Sequence, residues 1–199
     1  ALIGAPYDAD SRRIALLPGS RQQEVDRMLP TMLAAARALG DTERFTIAGV
    51  SDGVRYGDIL ADHPEFKDRI VYGITRETVA DSALVISSSG TATLEIALIG
   101  RPLIVMYKAN WLTYQIARRL VGLSNIALAN IVAGKSVAPE FLQSVANPTN
   151  IAAATRNLLD SPGARQDALA AWSTVRRALG VDENHGASEK VADAVSAYL

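Results

Sequence analysis

Five short apolar runs, none with the polar alternation of a half-exposed strand, limit what this chain can fold into. They are Ile14-Ala15-Leu16-Leu17, Phe45-Thr46-Ile47-Ala48, Ile70-Val71-Tyr72, Leu84-Val85-Ile86 and Leu103-Ile104-Val105-Met106-Tyr107. Runs of this kind are strands covered on both faces. Longer amphipathic stretches separate them, so strand and helix alternate along the chain. The expected class is α/β, a Rossmann-like parallel sheet with helices on both faces. The stretch 22–39 puts Val25, Met28, Leu29, Met32, Leu33 and Ala36 on one helical face. Pro30 falls inside it and removes a backbone donor, which predicts a kink or a restart. A helix over 91–99 stops at Gly100, and Pro102 opens the next strand.

Beyond Tyr107 the pattern changes. Asn147-Pro148 and Ser161-Pro162 pair a capping side chain with a proline suited to a first turn, so each opens a helix, and Gly180 closes the second. A last helix is expected over 187–198. Residues 1–12 read as the remnant of a linker. Residues 13–199 read as one domain, with a helical tail from about residue 147.

Composition narrows the partners. The formal net charge is −1, so no overall field draws the chain to nucleic acid or anionic lipid, and any anion must be held locally. There is no cysteine, which removes thiolate chemistry. No apolar run approaches a membrane span and residues 1–10 lack a signal-peptide pattern, so the expectation is a cytoplasmic domain.

Two loops carry the chemistry. The first is Leu17-Pro18-Gly19-Ser20-Arg21, at the carboxyl end of the first strand. Ligands of open α/β sheets bind at that end of the strands. Gly19 permits a tight turn and close approach, the helix that follows offers free N–H groups to an anion, and Arg21 adds a planar charged donor. A purely structural reading is also open, in which Ser20 caps the helix in a capping box with Gln23 and Arg21 is a solvated charge. The second loop is Ser87-Ser88-Ser89-Gly90-Thr91-Ala92-Thr93-Leu94-Glu95, after the fourth strand. Ser89, Gly90 and Thr91 offer hydroxyl and backbone donors to phosphate oxygens, and Glu95, one turn into the helix, is placed to accept ribose hydroxyls. The alternative is a polar loop with an exposed helical glutamate. Together, two such loops at one end of a sheet suit a nucleoside diphosphate.

Other features weigh less. Tyr107-Lys108 leads into Trp111-Leu112-Thr113-Tyr114-Gln115-Ile116-Ala117-Arg118-Arg119-Leu120-Val121, which reads as a sheet-covering helix or as a basic amphipathic helix lying on a membrane. His63 and His185, the only histidines, stand in no metal-ligand spacing. No nucleophile elbow, Walker loop or dinucleotide fingerprint is present.

Several segments in order resemble the lipid-A-disaccharide synthases, a glycosyltransferase family of the GT-B fold. They are Ile14 to Arg21 with Glu24-Val25 and Leu29-Pro30, then Ser89 to Glu95, then Asn130-Ile131-Val132-Ala133-Gly134-Lys135 and Pro139-Glu140-Phe141-Leu142-Gln143. The resemblance starts near Arg13 and implies the C-terminal half of such an enzyme, the half that holds the UDP-sugar. It also implies that the whole enzyme moves 2,3-diacylglucosamine from UDP to 2,3-diacylglucosamine 1-phosphate, giving a β-1,6 disaccharide and UDP. The lipid-linked acceptor and the general base would then belong to an N-terminal domain. Lys108 stands where the family usually has arginine, and Ala129 replaces the proline of a Leu-Pro-Asn motif.

On this reading Arg21 is the catalytic candidate, since it would meet the charge developing on the leaving diphosphate. Gly19, Ser20, Ser89, Gly90 and Thr91 complete the diphosphate site, Glu95 takes the ribose, and Asn130 is a further contact in the cleft. No cofactor is expected, and no acidic pair has a metal-ligand arrangement, so the expectation is leaving-group stabilisation without a bound metal. A homodimer and a peripheral contact on the inner face of the cytoplasmic membrane are both compatible with the sequence, and nucleic acid is not an expected partner. Two rival functions stay open. One is another UDP-sugar enzyme of the same fold, such as the peptidoglycan N-acetylglucosaminyltransferase or a UDP-N-acetylglucosamine 2-epimerase. The other is a non-catalytic UDP-binding module.

Overall fold

The computed structural model describes residues 2–51, 53–108 and 125–181. Six parallel strands form its sheet: β1 (Ile14–Leu17), β2 (Phe45–Gly49), β3 (Ile70–Tyr72), β4 (Leu84–Ser88), β5 (Leu103–Tyr107) and β6 (Glu140–Leu142), in the spatial order β3-β2-β1-β4-β5-β6. Five follow from the apolar runs. The sixth, β6, is three residues long, opens on a charged side chain and completes an edge, so no apolar run announces it.

Side-chain alternation along the strands builds two cores at once. Ile14, Leu16, Phe45, Ile47, Leu84, Ile86, Ile104 and Met106 point to one face. There they meet α1 (Gln22–Leu39) through Val25, Met28, Leu29, Met32 and Leu33, and α6 (Pro148–Asp160) through Ile151, Leu158 and Leu159. Ala15, Leu17, Ala48, Val85, Leu103 and Val105 point to the other face, against α3 (Thr75–Ala80), α4 (Thr91–Ile99), α5 (Leu128–Ala133) and α7 (Pro162–Ala178). A small helix, α2 (Gly57–Ala61), packs beside α1. The expected doubly covered parallel sheet is what the chain forms.

Pro30 does not interrupt α1. Its neighbours Met28, Leu29, Thr31, Met32 and Leu33 are all buried, and their packing outweighs one missing hydrogen bond. The proline pairs open helices as read: the Asn147 side chain accepts the N–H of Asn150, and that of Ser161 accepts the N–H of Ala164. The helix expected over 187–198 and the amphipathic stretch from Trp111 to Val121 lie outside the described residues.

The first residues do more than trail into the domain. Arg101 is buried beneath them, and its guanidinium donates to the carbonyls of Ala5, Pro6, Ala80 and Gly100. Its cation also lies 5.6 Å from the Tyr7 ring centroid. Burial pushes the Arg101 pKa down, opposed by Tyr7 and Asp81. Residues 5–7 are thereby tied to the segments that lead into β4 and β5. No helix among the described residues is long and apolar enough to cross a membrane.

Candidate functional site

The chain runs from β1 outward to β3 in one direction, then returns to start β4 beside β1 and runs outward the other way. β1 and β4 are therefore the switch point of the sheet, where the loops leaving their carboxyl ends diverge and leave a crevice. Leu17 and Ser87 are direct register partners there. The two polar loops of the sequence follow these two residues, so topology brings them face to face.

Between them lies a cavity of about 440 Å³, lined by Gly19, Ser20, Arg21 and Glu24 on one side and Ser88, Ser89, Gly90, Thr91 and Ala92 on the other. A second cavity of about 490 Å³ shares Val50 and Thr75 with the first and is closed by Gly49, Gly73, Arg76, Glu77 and Glu95. The two adjoin at these shared residues and together make a trough over the carboxyl ends of β1, β2 and β4. A larger hollow of about 530 Å³ lies around residues that precede β1, β4 and β5, with Arg13, Asp81 and Arg101 in its wall. Those charges are already committed, Arg13 to Asp81 and Arg101 to carbonyl oxygens.

Gly19 has φ +122°, a region that favours glycine, and a β-carbon there would stand 2.5 Å from the Glu24 carboxylate. Gly90 differs: its backbone is extended, and a β-carbon would meet nothing within 4 Å. The protein itself places no steric demand on Gly90, which faces open space at the mouth of α4. The free first N–H groups of α4 belong to Thr91 and Ala92, both in the cavity lining.

Known proteins share this chain's sequence pattern and its fold. The lipid-A-disaccharide synthetase family model matches residues 5–193. The chain belongs to that family. It is 40% identical over 198 residues to the lipid-A-disaccharide synthase of Anaeromyxobacter sp. (strain K), covering 97% of this chain and 50% of that protein. Against the synthase of Syntrophus aciditrophicus (strain SB) it is 43% identical over 188 residues, covering 92% and 48%. The chain thus spans about half the length of the relatives it matches. Among solved structures, WaaG, a glycosyltransferase of lipopolysaccharide biosynthesis, superposes with a TM-score of 0.56 at 16% identity over 92% of this chain and 47% of its own. The catalytic domain of cholesterol-α-glucosyltransferase from Helicobacter pylori also gives 0.56, at 13% identity over 85% and 99%. At those identities the likeness shows the fold, that of half a GT-B glycosyltransferase.

Within this member of the lipid-A-disaccharide synthetase family, the site residues read from sequence take different positions. Gly19, Ser20, Arg21, Ser89, Gly90 and Thr91 come together in one cavity. The helix cap differs from the capping box of Ser20 and Gln23. Arg21 is the capping residue of α1, and Glu24 is the acid whose Oε2 accepts the N–H groups of Ser20 (2.9 Å) and Arg21 (3.3 Å). Its Oε1 accepts from Arg21 Nη1 at 3.0 Å. The chain leaves β1 with one more extended residue than the Ser20 cap assumed, which moves the acid register from Gln23 to Glu24.

Glu95 lies in the adjoining cavity, where it pairs with Arg76, a residue that sequence reasoning left out because only the fold brings α3 beside α4.

Asn130 is the clear correction. It is fully buried, and its side chain has no capacity left for a ligand. Nδ2 donates to Ala138 O (2.8 Å) and Glu140 Oε1 (2.7 Å), while Oδ1 accepts the N–H groups of Val137 and Ala138 at 2.9 Å each. Glu140 in turn accepts the N–H groups of Ile126 and Ala127. Asn130 and Glu140 therefore lock the segment entering α5, whose Ile126 carbonyl accepts from the Ser89 hydroxyl at 3.4 Å. Asn130 shapes the wall beside the serine loop rather than the cleft itself. Ala129 is the second residue of α5, where a backbone N–H has no helical partner. Proline and alanine both satisfy that position, so the turn is kept. Lys108 turns to α1 and donates to Thr31 Oγ1 at 2.6 Å, and burial holds its ammonium pKa below the usual lysine value.

Proposed function

We propose that this chain holds the UDP moiety of a UDP-sugar and that the complete enzyme moves 2,3-diacylglucosamine from UDP to 2,3-diacylglucosamine 1-phosphate. The products are the β-1,6-linked disaccharide and UDP. One observation carries the proposal: the two polar loops meet over a cavity at the switch point of a sheet that belongs to the lipid-A-disaccharide synthetase family. The diphosphate lies between Arg21 and the amino end of α4, and the uridine extends along the trough towards Glu95. Leaving-group charge grows as the glycosidic bond to UDP breaks. Arg21 on one side of the cavity and the N–H groups of Thr91 and Ala92 on the other are the donors that would meet that charge. The acceptor hydroxyl gives up its proton to a base carried by the other half of the enzyme. The acylated substrates place this chemistry at the inner face of the cytoplasmic membrane.

The side chain of Arg21 is 80% exposed, so replacing it leaves the core untouched. A hydrogen bond to a charged group contributes about 1.5–3 kcal/mol. Arg21→Ala is therefore expected to weaken UDP binding at least about tenfold with unchanged thermal stability. Titration calorimetry on both proteins reads this directly, and equal affinities would remove Arg21 from the diphosphate site.

The ribose assignment is tested by changing ligand and protein together. If Glu95 accepts the ribose hydroxyls, Glu95→Gln binds UDP more weakly, and the wild type binds 2′-deoxy-UDP more weakly. The two losses do not add, because each removes part of one interaction. Strict additivity over the four affinities would place the ribose elsewhere.

A further inference from the structure

The donors best placed to receive a phosphate at the β1 loop are already in use. Glu24 Oε2 holds the N–H groups of Ser20 and Arg21, and Oε1 holds the Arg21 guanidinium. Two backbone donors and one cationic donor converging on an anion make a phosphate receptor in miniature, with a carboxylate of the same chain inside it. The carboxylate is folded back over Gly19, where only the missing β-carbon leaves room for it. It stands in the wall of the cavity opposite Ser89 and Gly90, about a third exposed, while the Arg21 side chain beside it is largely solvated.

We infer that Glu24 is a resident competitor for the diphosphate: it occupies the phosphate-binding donors, yields them when the nucleotide enters, and recaptures them as UDP leaves. This rests on the nucleotide reading given above and adds a control on that site. Two physical terms drive it. A carboxylate and a phosphate cannot share the same N–H groups. Two like charges within a few ångströms also repel, more strongly in a partly enclosed cavity than in bulk water. Free UDP carries a terminal phosphate with a full extra charge that the sugar ester lacks, so the carboxylate disfavours the product more than the donor substrate. The enzyme thereby limits retention of its own leaving group.

A fixed structural cap makes the opposite prediction. If Glu24 serves only to hold Ser20 and Arg21 in place, its loss loosens the loop and weakens nucleotide binding. Glu24→Gln separates the two roles, because glutamine keeps the chain length and a neutral acceptor for the Ser20 N–H while the charge is gone. UDP affinity of this 199-residue chain, by calorimetry, is expected to rise about fivefold or more in Glu24→Gln, with the gain appearing as slower UDP release in stopped-flow displacement. Glu24→Ala is expected to shift affinity in the same direction, and it serves as the second variant should the glutamine protein fold poorly. Unchanged or weaker UDP binding by folded variants overturns the competitor role and leaves the nucleotide site standing. A wild-type chain that binds no UDP overturns both.

Discussion

Asn130→Ala should destabilise the fold by about 3–5 kcal/mol, a penalty built from several buried polar groups that lose their partners together. The side chain is 0% exposed and makes four hydrogen bonds, to Ala138 O, Glu140 Oε1, Val137 N and Ala138 N. Alanine leaves the N–H groups of Val137 and Ala138 and the Ala138 carbonyl without this partner, and it takes one of two donors from Glu140 Oε1. The damage then spreads, since Glu140 also secures the N–H groups of Ile126 and Ala127. Asn130→Asp makes the argument sharper. It has nearly the same shape and keeps the acceptors, yet it sets a carboxylate beside that of Glu140, where the amide now donates at 2.7 Å. It should also lose stability, and the loss should ease at acidic pH as one of the two carboxyls takes a proton. Urea denaturation of the three proteins at neutral pH, repeated for Asn130→Asp at low pH, reads all of this. An asparagine acting as a ligand contact would instead leave the midpoint in place and lower nucleotide affinity. Equal midpoints for wild type and alanine variant would return Asn130 to the cleft.

Trp172→Ala should cost a similar amount, about 3–5 kcal/mol, for a different reason. Trp172 is the largest fully buried side chain of the described residues, and it anchors α7 to the sheet face that carries Val85, Leu103 and Val105. Its indole N–H donates to the Arg101 carbonyl at 3.0 Å, at the turn between α4 and β5. Alanine leaves a cavity that the neighbouring Ile99, Val175 and Leu103 fill only in part, and it leaves that carbonyl without a donor. Trp172→Phe keeps most of the apolar volume and should lose markedly less. α7 closes the layer that holds α4 against the sheet, so the same change should reduce protection of α4 amides from hydrogen exchange. A denaturation midpoint close to wild type for Trp172→Ala would mean that α7 contributes little to the fold, contrary to its burial.

The cavity residues respond differently. Arg21 is exposed and Glu24 and Glu95 are partly exposed in the cavity walls, so their substitution is read first in affinity. That contrast between Asn130 and Arg21, two polar residues read from sequence as parts of one site, is the practical test of which residues hold the ligand and which hold the wall.

Local physics made much of this protein legible in its sequence. Apolar runs without alternation specify strands covered on both faces, and the five runs of that kind are five of the six strands. Proline after asparagine or serine fixes where α6 and α7 begin, because one capping side chain and one rigid φ act on adjacent residues. The Gly-Ser-Arg and Ser-Gly-Thr loops were recognisable for the same reason, since their backbone freedom and donors are properties of the residues themselves. The tertiary structure decided everything that depends on which distant segments meet. It set β1 beside β4, so that two loops far apart in sequence enclose one cavity. Likewise it brought Arg76 to Glu95 and buried Asn130 against Glu140, turning a presumed ligand contact into a structural hub. It also carried α1 through Pro30, where packing on both sides outweighs one lost hydrogen bond. A side chain's chemistry is written in its residue type, but whether that chemistry is spent inside the protein or offered to a ligand depends on partners that only the folded chain supplies.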